Sequence, residues 1–255
     1  MSSNTWTPDA LSSEAAASAG LCWRVVEAQN NVSTMKLTNS TKEQERLETL
    51  IEATKPKVPE ECRHLNFLLF TPFRYGAPYP KGSRFRRAGM TLGVFYASEQ
   101  PETAAIEAAF YRLLFFAESP ETPWPRTVAH FTAFSVEFAT RRGIDLSKLP
   151  FAAIGEVWRH PIDYGACHDL CENARKAKID VIKYESARDP ERRANVAILT
   201  CRAFRGHEPL AYQSWRIHLG AGGARLLREH PRLTFDLDRA VFAIDPRIAA
   251  MKWDR

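Results

Sequence analysis

The chain has no long hydrophobic run, and this absence narrows the class of protein. Nowhere do about 18 consecutive apolar residues occur, so no transmembrane helix and no membrane association are predicted. The first 20 residues lack a basic stretch followed by an apolar core, so they do not resemble a signal peptide. Their serine, alanine and proline content instead predicts a flexible tail over residues 1–20.

Cysteine is also scarce. The five cysteines are odd in number and do not form the dense framework of small secreted domains. Reduced thiols and a cytoplasmic location are therefore predicted. Cys167, His168 and Cys171 could be imagined as metal ligands, but they lie on one predicted helix and no second cysteine pair follows. We therefore predict no metal site.

The remaining composition is typical of a globular protein. Of 255 residues, 45% are hydrophobic and 25% are charged, and no linker-like break follows residue 20. A single domain over residues 21–255 is predicted. The net charge of +5 fits nucleic-acid binding and equally fits a site for an anionic small molecule. No zinc-finger or helix-turn-helix signature accompanies the basic residues, so nucleic acid is not the favoured ligand.

Strand and helix patterns alternate along the chain. Phenylalanines recur with period two in residues 131–138, which predicts a half-buried strand. Further strands are predicted at 21–27, 92–97, 179–184, 195–199, 212–219, 233–237 and 240–244, and helices at 41–53, 101–117 and 163–177. The helix at 41–53 is interpreted as packing only. This mixture predicts an α+β fold with a largely antiparallel core of two sheets and helices packed outside.

Glu107 interrupts an apolar run on the predicted helix at 101–117. Its neighbours three and four positions away are Thr103, Ala104, Phe110 and Tyr111, which do not form a solvated stripe. A carboxylate is costly to bury unless it is paired or used. Periodicity alone leaves two interpretations open, a glutamate on the solvent face and a half-buried functional carboxylate, and we favour the second.

Arginines and tyrosines gather in and beside a proline-rich loop at residues 72–82. Arginine can bind phosphate through two nitrogens, and tyrosine can stack on a base or a pyridine ring. The alternative is a solvated loop without a ligand. The candidate residues here are Arg74, Tyr75, Tyr79 and Arg84.

Two further polar residues are candidate site residues, and each also has a simple structural interpretation. Arg24 lies inside the predicted first strand, where it is either an edge residue at the surface or an anion-binding guanidinium. Ser186 follows a predicted strand, and on composition alone a turn serine that bonds its own backbone is the simpler interpretation.

Three blocks of the sequence together resemble the RES domain, a family named for an arginine, a glutamate and a serine. Trp23-Arg24 resembles the family's opening pair, and residues 82–107 resemble its central loop, strand and helix. Tyr184-Glu185-Ser186-Ala187-Arg188, followed by Asn195-Val196-Ala197, resembles its third block. Residues 30–70 then correspond to an insertion relative to shorter members, which leaves Arg24, Arg74 and Arg84 as alternatives for the family's site arginine.

The resemblance implies a fold similar to ADP-ribosyltransferases and an activity that consumes NAD+. RES proteins are toxins of toxin–antitoxin pairs, so an Xre-like antitoxin is the implied partner, with nucleic acid reached only through it. A homodimer is an open alternative to a monomer. NAD+ is implied as the substrate, and no cofactor is implied.

The resemblance also implies roles for residues. Glu107, Arg24 and Ser186 are the implied catalytic residues, with Glu107 near the developing cation and Ser186 bonded to nicotinamide or ribose. The implied NAD+-binding residues are Arg84, Tyr75, Arg74, Tyr79, Tyr96 and Arg188.

Three functions are compatible with the sequence. The first is cleavage of the nicotinamide–ribose bond of NAD+ with water or phosphate as acceptor. The second is ADP-ribosylation of a cellular protein at the same site. The third is a basic module that binds nucleic acid or a partner without turnover.

Overall fold

The structure, a computed structural model, describes residues 6–28, 37–75, 82–89 and 92–255. Its helices are α1 (Pro8–Ser13), α2 (Thr41–Thr54), α3 (Phe67–Arg74), α4 (Pro101–Glu118), α5 (Gly155–Arg159), α6 (Gly165–Lys176), α7 (Arg239–Phe242) and α8 (Pro246–Ala249). Its strands are β1 (Ala16–Glu27), β2 (Phe95–Ser98), β3 (Ala129–Asp145), β4 (Val181–Glu185), β5 (Ala194–Ile198), β6 (Ala211–Gly220), β7 (Gly223–Arg228) and β8 (Leu233–Asp238). The predicted α+β class is confirmed.

The strands form one continuous sheet that closes on itself at one end. Their order is β1-β2-β5-β4-β3-β6-β7-β8, and β1 also pairs with β3, so five strands form a ring. The pairings are antiparallel except that between β3 and β4. Strand β3 spans 17 residues, so its first part pairs with β6 and its last part with β4. The prediction of two separate sheets is therefore wrong, because the long strand β3 joins the two parts into one sheet.

Helix α4 carries Glu107, and the packing of this helix fixes where the carboxylate lies. Pro101 occupies the first turn, where its missing N–H costs no hydrogen bond. Ile106, Phe110 and Leu113 are fully buried beside sheet residues that include Trp215. Each such side chain contributes on the order of 1.5–3 kcal/mol when it leaves water. With that side of the helix held in the core, Glu107 occupies the flank that faces β5.

The N-terminal residues 6–20 form structure where the composition predicts a flexible tail. Thr7 caps α1, Leu11 is fully buried, and β1 begins at Ala16. Strands β1 and β3 approach closely here, since a Cβ added to Gly143 would lie 2.6 Å from Cβ of Ser18. The small side chains that indicate a flexible tail thus belong in part to a strand paired with β3.

Three other local predictions also need correction. Helix α2 begins at the predicted cap, Ser40, but none of its residues is buried, and Leu50 is 57% exposed, so it is not a packing helix. Residues 240–244 are predicted as a strand, yet Asp238 caps the short helix α7 there. The sequence does not predict strand β7, because the glycine-rich segment at its start resembles a turn.

Two of the five cysteines are bonded to each other. Cys62, just before α3, and Cys201, just after β5, form a disulfide with a Cα–Cα distance of 5.6 Å. The prediction of five reduced thiols is therefore wrong for this pair, which sequence spacing could not reveal because 139 positions separate its members. Cys22, Cys167 and Cys171 are free and buried. In the described residues, no helix is long and apolar enough to cross a membrane.

Candidate active site

A cavity of about 660 Å³ opens between β1, β2, α4 and the loop at residues 82–89. Residues from all three sequence blocks line it, although they are far apart in the chain. The polar and aromatic lining residues are Trp23, Arg24, Thr71, Tyr75, Ser83, Arg84, Arg86, Tyr96, Ser98, Glu107, Tyr111, Tyr184, Arg188 and Asn195. The cavity is large enough for a ligand of cofactor size.

Three side chains hold the Glu107 carboxylate at the cavity wall. Its Oε1 accepts hydrogen bonds from Ser186 Oγ (2.7 Å) and Asn195 Nδ2 (2.8 Å). Its Oε2 accepts one from Arg188 Nη1 (3.2 Å). The side chain is 16% exposed. Since a carboxylate can accept about four hydrogen bonds, Oε2 keeps acceptor capacity for a ligand in the cavity.

Arg188 is the charge partner of Glu107 and is itself almost fully enclosed. Its guanidinium lies 4.3 Å from the ring centre of Phe110 and donates through Nη2 to the Tyr164 hydroxyl (2.9 Å). Burial by itself would lower the pKa of Arg188, but the Glu107 carboxylate and neighbouring tyrosines raise it above the usual value. Arg188 is therefore a permanent cation, and it balances the glutamate in a partly dry site.

Ser186 lies behind Glu107 and does not line the cavity. It is 1% exposed. Its oxygen accepts from the backbone N–H groups of Arg188 (3.2 Å) and Asp189 (3.1 Å), while its proton goes to Glu107. The turn interpretation of this serine fits its two backbone contacts, and the same hydroxyl also orients the glutamate, a role that the sequence analysis did not predict. The implied direct bond to nicotinamide or ribose does not fit, because the hydroxyl is already fully used.

Asn195 belongs to the site although the sequence analysis gave it no role. It is the second residue of the buried strand β5, and its Oδ1 accepts from Ser98 Oγ (2.6 Å) while its Nδ2 donates to Glu107. In the sheet it is paired with both Ser98 and Tyr184. The available signal was a lone amide at the start of an otherwise apolar strand, since buried amides are retained only with partners.

Arg24 and Arg84, two of the four arginines among the described lining residues, bring positive charge to the cavity. Arg24 lines it from β1, where Nη1 donates to the backbone oxygen of Tyr96 (2.9 Å). Burial lowers the pKa of Arg24 to about 10, so the group stays charged at neutral pH. Arg84 is 3% exposed and donates through Nη1 to the backbone oxygen of Trp158. Its Nε and Nη2 are buried and have no hydrogen-bond partner among the described residues, which suits a ligand with acceptor oxygens.

The predicted tyrosines differ in their placement. Tyr75 lines the cavity and is 39% exposed, so its ring is available to a ligand. Tyr96 also lines it, but its hydroxyl accepts from the backbone N–H of Phe85 (2.9 Å) and lies 2.9 Å from Ser83 Oγ, so it supports the loop at 82–89. Tyr79 lies outside the described residues. Trp23 and Tyr111 are aromatic lining residues that the sequence analysis did not select.

Arg74 is not part of this cavity. Its guanidinium pairs with Glu52 (2.6 Å) and with the backbone oxygen of Pro56. Of the three arginines considered for the site, Arg24 and Arg84 therefore reach the cavity, and Arg74 holds the end of α3 to the segment that follows α2 instead.

Metal ligation finds no support in the residues that the structure describes, where no group of three or more His, Cys, Asp or Glu side chains could hold an ion. Burial raises the pKa of Cys167 to about 11, and it also raises that of Cys171. Metal binding requires the thiolate. His168 is bonded through Nε2 to the backbone oxygen of Ser83 (2.8 Å), where it fastens the loop to α6.

This arrangement favours one kind of chemistry. A carboxylate with spare acceptor capacity can stabilise a positive charge that develops on a ligand, and two guanidinium groups can bind an anionic part of the same ligand. Aromatic side chains at the mouth can stack on a planar ring.

Comparison with known proteins identifies one family. The RES domain matches residues 58–220, a range that includes Glu107, Ser186 and Arg188 but not Arg24. No curated protein matches the chain. Among solved structures, the chain is similar to one in the crystal structure of the M. tuberculosis MbcT–MbcA toxin–antitoxin complex, with 11% identity, 93% of each chain covered and a TM-score of 0.44.

Proposed function

The chain belongs to the RES-domain family, and on that premise we propose that it is an enzyme that cleaves the nicotinamide–ribose bond of NAD+. The observation that supports this most is the position of Glu107. Three donors hold its carboxylate at the wall of a cavity that the guanidinium groups of Arg24 and Arg84 also line. NAD+ carries the matching features, an anionic pyrophosphate and a sugar carbon that becomes cationic when nicotinamide leaves.

The chemistry resembles glycoside hydrolysis, in which the sugar passes through an oxocarbenium-like transition state. The carboxylate of Glu107 stabilises this cation, and its free acceptor capacity on Oε2 receives a ribose hydroxyl. Nicotinamide leaves as a neutral molecule, so the reaction needs no strong general acid. Arg24 and Arg84 bind the pyrophosphate, and the ring of Tyr75 stacks on the nicotinamide. Ser186 and Asn195 keep the glutamate in place.

The acceptor is water or phosphate in this proposal, which makes the enzyme a glycohydrolase or a phosphorylase. Transfer of ADP-ribose to a cellular protein would use the same carboxylate and the same arginines. We further propose that the chain is the toxin of a toxin–antitoxin pair with an Xre-like antitoxin as partner, and that its core corresponds to that of ADP-ribosyltransferases. These proposals come from the family membership.

The test is nicotinamide release from NAD+ by the purified protein with no other protein present, first in buffer without phosphate and then with phosphate added. Release in both buffers supports a glycohydrolase, and release only with phosphate supports a phosphorylase. Release that needs added cell protein, with radiolabelled ADP-ribose on that protein, supports the transferase. No release under any of these conditions contradicts the proposal and leaves a binding module, for which a gel shift that weakens steeply with salt is the diagnostic result.

A further inference from the structure

Tyr164 contacts two arginines of the site, although it does not line the cavity itself. It precedes α6, in a segment to which the sequence gives no role. Its hydroxyl accepts from Arg188 Nη2 (2.9 Å), and the Arg84 guanidinium lies 4.8 Å from the centre of its ring. One side chain thus touches both the partner of Glu107 and a cation that lines the cavity.

The direction of the hydrogen bonds at Tyr164 is fixed by chemistry. Arginine has donors only, so the tyrosine oxygen must accept from Arg188. Its proton is then free for the backbone oxygen of Pro161, which lies 2.9 Å away. The hydroxyl is therefore locked in one orientation by two partners, and it offers Arg188 a fixed acceptor.

This acceptor determines how Arg188 meets Glu107. Guanidinium and carboxylate groups prefer a contact through two parallel hydrogen bonds. Here only Nη1 reaches Glu107, while Nη2 is held by Tyr164. The single contact leaves Oε2 of Glu107 with the acceptor capacity that a ligand needs. Without the Tyr164 hydroxyl, Nη2 of Arg188 loses its acceptor and can turn towards Oε2, because Oε1 already accepts from Ser186 and Asn195. A second Arg188 hydrogen bond to Oε2 would occupy that capacity.

The ring of Tyr164 has a separate task. Arg84 donates from Nη1 to the backbone oxygen of Trp158, and its buried Nε and Nη2 have no partner within the described part of the chain. The aromatic face of Tyr164 stabilises this incompletely bonded cation. Phenylalanine keeps the ring but lacks the hydroxyl. The contact of the ring with Arg84 and the hydrogen bond of the hydroxyl with Arg188 can therefore be tested separately by substitution.

We propose that Tyr164 is a positioning residue of the active site, with its hydroxyl keeping Arg188 in a single contact with Glu107 and its ring keeping Arg84 in place for an anionic ligand. This inference rests on the proposed cleavage of NAD+. It assigns the hydroxyl to the chemical step and the ring to substrate binding.

The experiment compares Tyr164→Phe and Tyr164→Leu with wild type. The control is Tyr212→Phe, which removes a hydroxyl from an exposed residue of β6 outside the cavity. The measurements are kcat and KM for nicotinamide release, Kd for ADP-ribose, and the thermal unfolding midpoint.

Tyr164→Phe is expected to lower kcat about tenfold, equivalent to about 1.4 kcal/mol in the barrier, with KM and Kd near wild type. Tyr164→Leu is expected to lower kcat similarly and to raise KM and Kd about tenfold, the size of one cation–ring contact away from water. Tyr212→Phe is expected to match wild type.

The outcomes separate this inference from the function on which it rests. If wild type releases no nicotinamide, the proposed function fails and the inference falls with it. If wild type is active and Tyr164→Phe has an unchanged kcat, only the inference is overturned. A purely structural role is the other contrary result: both variants would unfold at lower temperature and lose activity in proportion to folded protein, with KM and Kd unchanged. A wild-type KM in Tyr164→Phe together with a raised KM in Tyr164→Leu supports the role of the ring in substrate binding.

Discussion

Ser186 Oγ donates a 2.7 Å hydrogen bond to Oε1 of Glu107, across 79 positions of sequence. The serine stands on the turn after β4, and the glutamate stands in the middle of α4. Because the same oxygen accepts from two backbone N–H groups, the turn and the carboxylate are fixed by one atom. The glutamate therefore depends on the correct conformation of a distant turn.

Ser186→Ala is expected to lower both stability and turnover. The substitution leaves two buried backbone donors and one carboxylate bond unsatisfied, and each lost partner of this kind costs about 1–3 kcal/mol. KM is expected to stay close to wild type, because Ser186 does not line the cavity. Urea unfolding and steady-state nicotinamide release measure the two effects. A large rise in KM with normal stability would instead indicate that the serine contacts the substrate.

Asn195→Asp is expected to change the pH dependence of turnover. The new carboxylate would face Oε1 of Glu107 at the position of the present amide, which donates over 2.8 Å. Two adjacent carboxylates hold a proton to higher pH than one does. Since the mechanism requires an ionised Glu107, the acid limb of the profile of kcat against pH should move to higher pH. Asn195→Ala, which removes the amide without adding charge, is the control: it should lower kcat and move that limb less than Asn195→Asp does, because it takes one hydrogen-bond donor from the carboxylate but adds no like charge. An unmoved limb in Asn195→Asp would contradict the assignment.

Arg84→Met is expected to weaken substrate binding. Hydrogen bonds to a charged group contribute about 1.5–3 kcal/mol, so KM should rise about 10- to 100-fold. Arg74→Met is the matched control, because Arg74 pairs with Glu52 and does not line the cavity. Both variants are measured by NAD+ saturation kinetics, with a thermal melt to verify folding. Equal KM values in the two variants would remove Arg84 from the site.

Reduction of the Cys62–Cys201 disulfide is expected to destabilise the fold. Loop closure over 139 positions predicts a loss of up to about 5 kcal/mol in the free energy of unfolding, and typical bonds contribute about 2–4 kcal/mol. Guanidinium unfolding with and without a dithiol reductant measures this loss. A Cys62→Ala/Cys201→Ala variant should be insensitive to the reductant. Identical unfolding curves for the wild-type protein in both conditions would contradict a stabilising disulfide.

The sequence predicts much of the fold and the centre of the site, and the failures have physical reasons. Glu107 was recognisable because a charge in an apolar helical run has to be explained. The role of Ser186 as support for Glu107, and not as a ligand contact, depends on which way its proton points, and no local pattern contains that information. Asn195 and Tyr164 act through partners that are distant in sequence. Strand β3 joins both parts of the sheet through pairings that depend on the whole fold.

The most direct test of the account is nicotinamide release from NAD+ by Glu107→Gln beside Glu102→Gln. Both substitutions remove one carboxylate charge from α4 and keep the side-chain size, but Glu102 pairs with Arg228 (2.8 Å) and does not line the cavity. We predict that Glu107→Gln stays folded and loses at least about a hundredfold in kcat, the usual effect of removing a charge-stabilising group. Glu102→Gln should keep its turnover. Wild-type turnover in Glu107→Gln, or an equal loss in both variants, would contradict the central role of Glu107.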